Sequence, residues 1–115
     1  MQQRPSEREG CLVLKREFEN AGLRILERHE IEAGGLRVEL DGYDPERRVG
    51  YEFVTSAGGD RASLSPEVLA ALESRMEAGD LHVLLVDEWE VVSGEELAGF
   101  ARRFLAELKA RGGLP

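Results

Sequence analysis

The sequence is poor in cysteine and aromatic residues, and it has no long apolar run. Cys11 is the single cysteine among 115 residues, so no internal disulfide can form. No run of about 18 apolar residues occurs, so the sequence predicts no membrane-spanning helix. The first ten residues, MQQRPSEREG, lack the apolar core of a signal peptide. These absences predict a cytoplasmic protein whose residues 1–10 form a flexible tail.

Positive charge is also scarce, because the formal net charge is -8. A protein that grips DNA or RNA without reading its sequence needs a basic face to neutralise phosphates. A nucleic-acid partner is therefore expected only if a metal ion bridges acidic side chains to phosphate. What the chain does have is a 42% hydrophobic fraction, which is enough for one ordinary core. The length predicts a single domain over residues 1–115.

Apolar residues at steps of three and four predict an amphipathic helix from Cys11 to Arg28. A short strand is expected at Glu30–Glu32, followed by a turn at Ala33–Gly35. Ser65 and Pro66 are typical of a helix start, and Gly79 of its end. Ser93 and Glu96 form a capping-box pattern that opens the last helix. Between these two helices, Leu81–Val86 is nearly all apolar, which predicts a central strand covered on both faces.

The segment from Leu36 to Thr55 predicts a β-hairpin. Leu36, Val38 and Leu40 alternate with polar residues, and the alternation resumes at Val49, Tyr51 and Phe53. The intervening stretch GYDPER has turn chemistry. The predicted fold is therefore α/β (α+β) with the order α-β-β-β-α-β-α. A mixed sheet with a central hairpin would carry helices packed on it, in two or three layers.

The hairpin carries three carboxylates that form the candidate site. If the apolar residues of both strands share one core face, the other face collects Asp41 and Glu52. Asp44, in the turn, is a third candidate ligand. Mg²⁺ is commonly held by one or two carboxylates together with water and substrate phosphate. The pattern therefore makes these three residues a candidate Mg²⁺ site.

The element order, with an Asp near the end of one hairpin strand and a Glu in the next, resembles the PD-(D/E)XK nuclease fold. The resemblance spans roughly residues 11–86. It implies that Asp41 and Glu52 bind the metal, and that Glu17 or Glu19 in the first helix is an accessory acid. It also implies a Lys two residues after Glu52, but that position is Val54. A displaced Arg37 or Arg61 is the nearest substitute, since the only lysines are Lys15 and Lys109.

A structural interpretation of the same residues stays open beside the catalytic one. In it, Asp44 caps the turn, Asp41 accepts backbone N–H groups, and Glu52 pairs with Arg37 across the strands. Trp89, flanked by acidic residues, is either a protein-binding anchor or part of the packing at the sheet edge. Because the Lys is missing and the surface is acidic, we expect a non-catalytic protein without a cofactor. It would act through a protein partner or as a homodimer. The alternative is a Mg²⁺-dependent phosphodiesterase with Asp41 and Glu52 as catalytic residues.

Overall fold

The structure, a computed structural model, describes residues 4–56 and 64–114. Within these residues it has three α-helices, four strands and one short 3₁₀ turn. The helices are α1 (Glu7–Asn20), α2 (Pro66–Glu77) and α3 (Gly94–Ala110). The strands are β1 (Leu26–Ala33), β2 (Leu36–Asp44), β3 (Val49–Val54) and β4 (His82–Asp87), and the 3₁₀ turn is Glu88–Glu90. The predicted order and the mixed α/β class are confirmed.

The first helix begins and ends earlier than its apolar spacing predicts. Ser6 caps its start, with its side chain accepting from the Glu9 N–H while the Glu9 carboxylate accepts from the Ser6 N–H. The helix ends at Asn20 because Gly22 adopts φ +96°, a left-handed conformation that closes a helix. The residues beyond it remain apolar because they enter the core rather than continue the helical stripe. The prediction of a helix to Arg28 was therefore wrong.

The expected flexible tail also differs from the structure. Residues 7–10 belong to α1, and Gly10 is buried where a Cβ would lie 2.3 Å from the Phe53 ring. The helix therefore needs glycine at this position to approach β3. Residues 1–3 lie outside the described residues.

The sheet has the order β1-β2-β3-β4. The first three strands are antiparallel neighbours, and β4 lies parallel to β3. This confirms the mixed sheet and the hairpin between β2 and β3. The first strand is longer than predicted, because β1 pairs with β2 along most of its length. The turn at Gly34 and Gly35 joins the two strands. The strand at residues 82–87 is covered on both faces, but it lies at an edge of the sheet and not in its centre.

Helices cover both faces of the sheet and create two cores. On one face, α1 and α3 pack over Val49, Tyr51 and Phe53, which we call the α1/α3 core. On the other face, α2 packs over Val38 and Leu40, which we call the α2 core. The domain therefore has three layers.

The predicted helix starts at Ser65 and Ser93 are confirmed, but the capping box at Ser93 is incomplete, because the Glu96 carboxylate accepts from the Val92 N–H and not from the Ser93 N–H. Ser65 caps α2 with Pro66 in its first turn, and the Ser93 side chain accepts from the Glu96 N–H at the start of α3. The predicted loop from Ser56 to Leu64 lies mostly outside the described residues. In the described part of the chain, no helix is long and apolar enough to cross a membrane.

A matched pair of glycine substitutions tests the packing of α1 on β3. We expect Gly10→Ala to destabilise the protein by about 1–3 kcal/mol, because the new methyl overlaps the buried Phe53 ring. Gly99→Ala, inside α3 with nothing within 4 Å of the new Cβ, should instead stabilise by up to about 1 kcal/mol. Urea unfolding of both variants measures the difference. Equal stabilities would contradict the close approach of α1 to β3.

Candidate functional site

The two predicted catalytic carboxylates exchange hydrogen bonds with each other's strand. The Asp41 Oδ2 accepts from the Phe53 N–H at 2.8 Å, and the Glu52 Oε1 accepts from the Asp41 N–H at 3.1 Å. The backbone ladder between β2 and β3 comprises only Gly42–Tyr51, Tyr43–Gly50 and Asp44–Val49. Side-chain oxygens thus replace backbone carbonyls at the point where this ladder stops. Glu52 is only 1% exposed, and burial of a carboxylate requires such partners.

This exchange changes which way β2 faces, and it overturns one prediction. Val38 and Leu40 belong to the α2 core, whereas Gly42 lies against the Tyr51 ring on the opposite face. Regular alternation would place the side chains of residues 40 and 42 on the same face. The alternation is therefore interrupted at Asp41, and we say that β2 turns over there. The neighbouring strand adapts at Arg28, which has φ +51°. The expectation that the apolar residues of both hairpin strands share one face was therefore wrong.

Asp44 lies in the turn, where backbone amides surround it. Its Oδ1 accepts from Glu46 N–H at 2.9 Å and Arg47 N–H at 3.1 Å, and its Oδ2 accepts from Arg24 N–H at 2.8 Å. Burial alone would raise the pKa of Asp44, but these three hydrogen bonds outweigh it, and the pKa lies below its ordinary value. The structural interpretation of Asp44 as the turn cap is confirmed.

The three candidate ligands do not form one group in the structure. Within residues 4–56 and 64–114, no three His, Cys, Asp or Glu side chains are placed to share a metal ion. Asp41 lines an open cavity beside α1, while Asp44 closes the turn. The arrangement lets Asp41 meet a ligand that enters from this side of the sheet.

The other residues implied by the nuclease resemblance have structural roles where they are described. Val54 packs against the α2 core, and Arg37 pairs with Glu30 at 3.1 Å and not with Glu52. Glu17 is buried and forms a bidentate salt bridge with Arg102, which joins α1 to α3. Glu19 is exposed, and Arg61 lies outside the described residues. The predicted cross-strand pair of Glu52 with Arg37 was therefore wrong.

Sequence reasoning missed the cavity beside α1. It has a volume of about 440 Å³ and brings Cys11, Asp41 and Tyr51 together. Burial, followed by the nearby Asp41 charge, raises the pKa of the Cys11 thiol well above its usual range. Cys11 is therefore a neutral thiol at physiological pH. No sequence pattern predicts this site, because Tyr51 has the spacing of an ordinary core residue and Cys11 that of a small apolar one.

A second concave surface lies on the α2 face, at the 3₁₀ turn that carries Trp89. This apolar groove has a volume of about 340 Å³, and it is lined by Val54, Leu64, Leu69, Leu85, Asp87 and Glu90. Trp89 is 60% exposed, so it does not complete the packing at the sheet edge. The Arg4 guanidinium lies over its ring, 4.7 Å from the centroid. The groove thus combines an apolar floor with an acidic rim, and the 3₁₀ turn that supplies Glu90 also carries the exposed Trp89 ring.

No family model, curated protein or solved structure matches this chain. The resemblance to PD-(D/E)XK nucleases gains no support from these comparisons and loses none.

Replacement of Asp44 tests the turn and its pH dependence. Because its folded-state pKa is lowered, Asp44 stabilises the protein above the ordinary aspartate pKa of 3.8, and this contribution is lost as the pH falls through the lower folded-state pKa. We expect Asp44→Asn to reduce the free energy of unfolding at neutral pH by about 1–3 kcal/mol and to flatten its acid dependence. Urea unfolding between neutral and acidic pH measures both. Exposed Asp80→Asn is the control, and an identical profile for the two variants would refute the role of Asp44.

A metal titration tests the carboxylates directly. We expect Mg²⁺ and Mn²⁺ to leave the Tm unchanged, because Asp41, Glu52 and Asp44 are not placed to share one metal ion. Thermal unfolding with and without the metal is the measurement, since a ligand that binds the folded state raises Tm. A rise that disappears in Asp41→Asn and Glu52→Gln would contradict this expectation.

Proposed function

We propose that this chain is a non-catalytic domain of nuclease-like fold that acts by binding another protein. The observation that carries the proposal is the groove beside Trp89. The occupant we propose is a basic segment of a partner protein that places an apolar side chain in the groove and an arginine on Trp89.

Three features support the absence of catalysis. Val54 occupies the position of the family's lysine and contributes its side chain to a core. Asp41 and Glu52 accept main-chain hydrogen bonds that hold β2 to β3. Lys15, one of the two lysines, pairs with Glu27 at 3.0 Å. Both carboxylates therefore have a structural role in joining β2 to β3.

The partner's chemistry follows from the groove. Leu69, Leu85 and Val54 offer apolar contacts, which favour an aliphatic side chain. Asp87 and Glu90 at the rim, within a chain of net charge -8, attract a basic partner. Arg4 of the same chain already lies over Trp89, which demonstrates that the ring accepts a guanidinium. Tryptophan at such a position is a frequent anchor of protein interfaces.

Peptides of alternating arginine and leucine test this proposal. Such a peptide should bind and change the fluorescence of Trp89, the single tryptophan. The matched glutamate–leucine peptide should not bind. Trp89→Ala should weaken binding about tenfold or more, as measured by calorimetry. Leu26 is also an exposed apolar residue but lies on β1, so the control variant Leu26→Ala should bind as the wild type does. Removal of the competing guanidinium in Arg4→Ala should strengthen binding. Equal affinity for the two peptides, or no effect of Trp89→Ala, would refute the proposed partner chemistry.

Light scattering distinguishes a foreign segment from a second copy of the chain. With a foreign partner, the mass should stay at 12.8 kDa as the concentration rises. A doubled mass that returns to one chain in Trp89→Ala would assign the groove to a homodimer instead.

A Mg²⁺-dependent phosphodiesterase is the second candidate function. It rests on Asp41, which lines an open cavity, and the metal titration described above tests it. In that case Asp41 and Glu52 would be the catalytic residues.

A further inference from the structure

The cavity beside α1 lies on the sheet face opposite the apolar groove, and the proposed protein-binding function does not use it. Its volume of about 440 Å³ lies in the range of small-molecule sites. It opens between α1, the first half of β1 and the point where β2 turns over at Asp41. The residues on which the argument depends are Arg8, Cys11, Leu12, Arg28, Asp41 and Tyr51.

Tyr51 forms the floor and presents an unused hydroxyl. The residue is 1% exposed, and its ring packs edge-on against Phe18 at 4.9 Å. Gly42 leaves room for the hydroxyl, since a Cβ there would lie 2.4 Å from the Oη. Among residues 4–56 and 64–114 this hydroxyl has no hydrogen-bond partner. Every fully buried side-chain oxygen or nitrogen in that part of the chain does have one, so the Tyr51 Oη faces the cavity.

Asp41 supplies the charge next to the floor. Its Oδ2 holds the Phe53 N–H, and a carboxylate has lone pairs for further donors. Cys11 beside it stays a neutral thiol, because burial and the Asp41 charge raise its pKa. The inner part of the cavity therefore favours a cation with several N–H donors, and an ammonium group matches both Asp41 and the phenolic oxygen.

The rim of the cavity carries two guanidinium groups, from Arg8 and Arg28. Arg8 and Arg28 are exposed, and neither guanidinium forms an ion pair with another described residue. A guanidinium binds a carboxylate with two parallel hydrogen bonds. Glu7 and Glu27 also line the rim, but Glu27 is engaged by Lys15 at 3.0 Å. Leu12, 56% exposed, adds an apolar side chain to the lining of the cavity.

We propose that this cavity binds a small zwitterion of the α-amino-acid class. Its ammonium group lies against Asp41 and the Tyr51 hydroxyl, and its carboxylate lies against Arg28 or Arg8. An aliphatic side chain of the ligand packs on Leu12.

L-Leucine and its two truncated analogues test the proposal by calorimetry and thermal unfolding. L-Leucine should bind and raise Tm in a concentration-dependent manner. Isoamylamine, which lacks the carboxylate, and isocaproate, which lacks the ammonium, should each bind at least about tenfold more weakly. Absence of leucine binding, or equal binding of all three compounds, would overturn the proposal.

Two variants separate the charged ends of the ligand. Tyr51→Phe should keep the Tm of the free protein, because the hydroxyl has no partner to lose, yet weaken leucine and isoamylamine about tenfold. Arg28→Gln should weaken leucine and isocaproate but leave isoamylamine unchanged. Arg37→Gln, on β2 and paired with Glu30, is the control and should bind all three compounds as the wild type does. If Tyr51→Phe and Arg28→Gln also bind leucine as the wild type does, the proposed contacts are refuted.

Discussion

The contact between β2 and β3 depends on two hydrogen bonds, which the Asp41 carboxylate accepts from the Phe53 N–H and the Glu52 carboxylate from the Asp41 N–H. Each carboxylate accepts a backbone N–H of the other strand, at the place where the β2–β3 ladder stops. The exchange satisfies amides that would otherwise lack partners at the end of a ladder, and it gives a carboxylate that is 1% exposed the donors it needs. It also lets β2 turn over without the loss of its contact with β3.

The two concave surfaces lie on opposite sides of the sheet. Because β2 changes face at Asp41, its first half serves the α2 core, and Gly42 opens space beneath Tyr51 on the α1/α3 side. The α2 side then carries the apolar groove, and the α1 side carries the polar cavity. The pair of buried Glu17 with exposed Arg102 joins the two helices on the cavity side, which gives α1 a second point of attachment besides the sheet.

Local signals predicted most element boundaries well, and they failed where packing outweighed pattern. The caps at Ser65 and Ser93 hold because a side-chain oxygen bonds an amide only three residues away. The first helix was predicted too long, because the residues after Gly22 keep an apolar spacing. In the structure the helix ends before Gly22, and these residues enter the core outside the helix. The Leu81 strand looked central because coverage on both faces gives an edge strand the same apolar composition.

The sequence by itself determined the α-β-β-β-α-β-α order, the hairpin with its Asp44 turn and the absence of a lysine at position 54. The element order and the turn depend on contacts between residues close in the chain, and the residue at position 54 is read directly from the sequence. Only the tertiary structure decided which way Asp41 and Glu52 point and which side chains meet in the cavity. The cavity brings together Cys11, Asp41 and Tyr51, which are far apart in the sequence. Their meeting follows from the change of face of β2 at Asp41, which the alternation of apolar residues does not predict. The tertiary structure also decided that Arg37 on β2 pairs with Glu30 on β1 and not with Glu52 on β3.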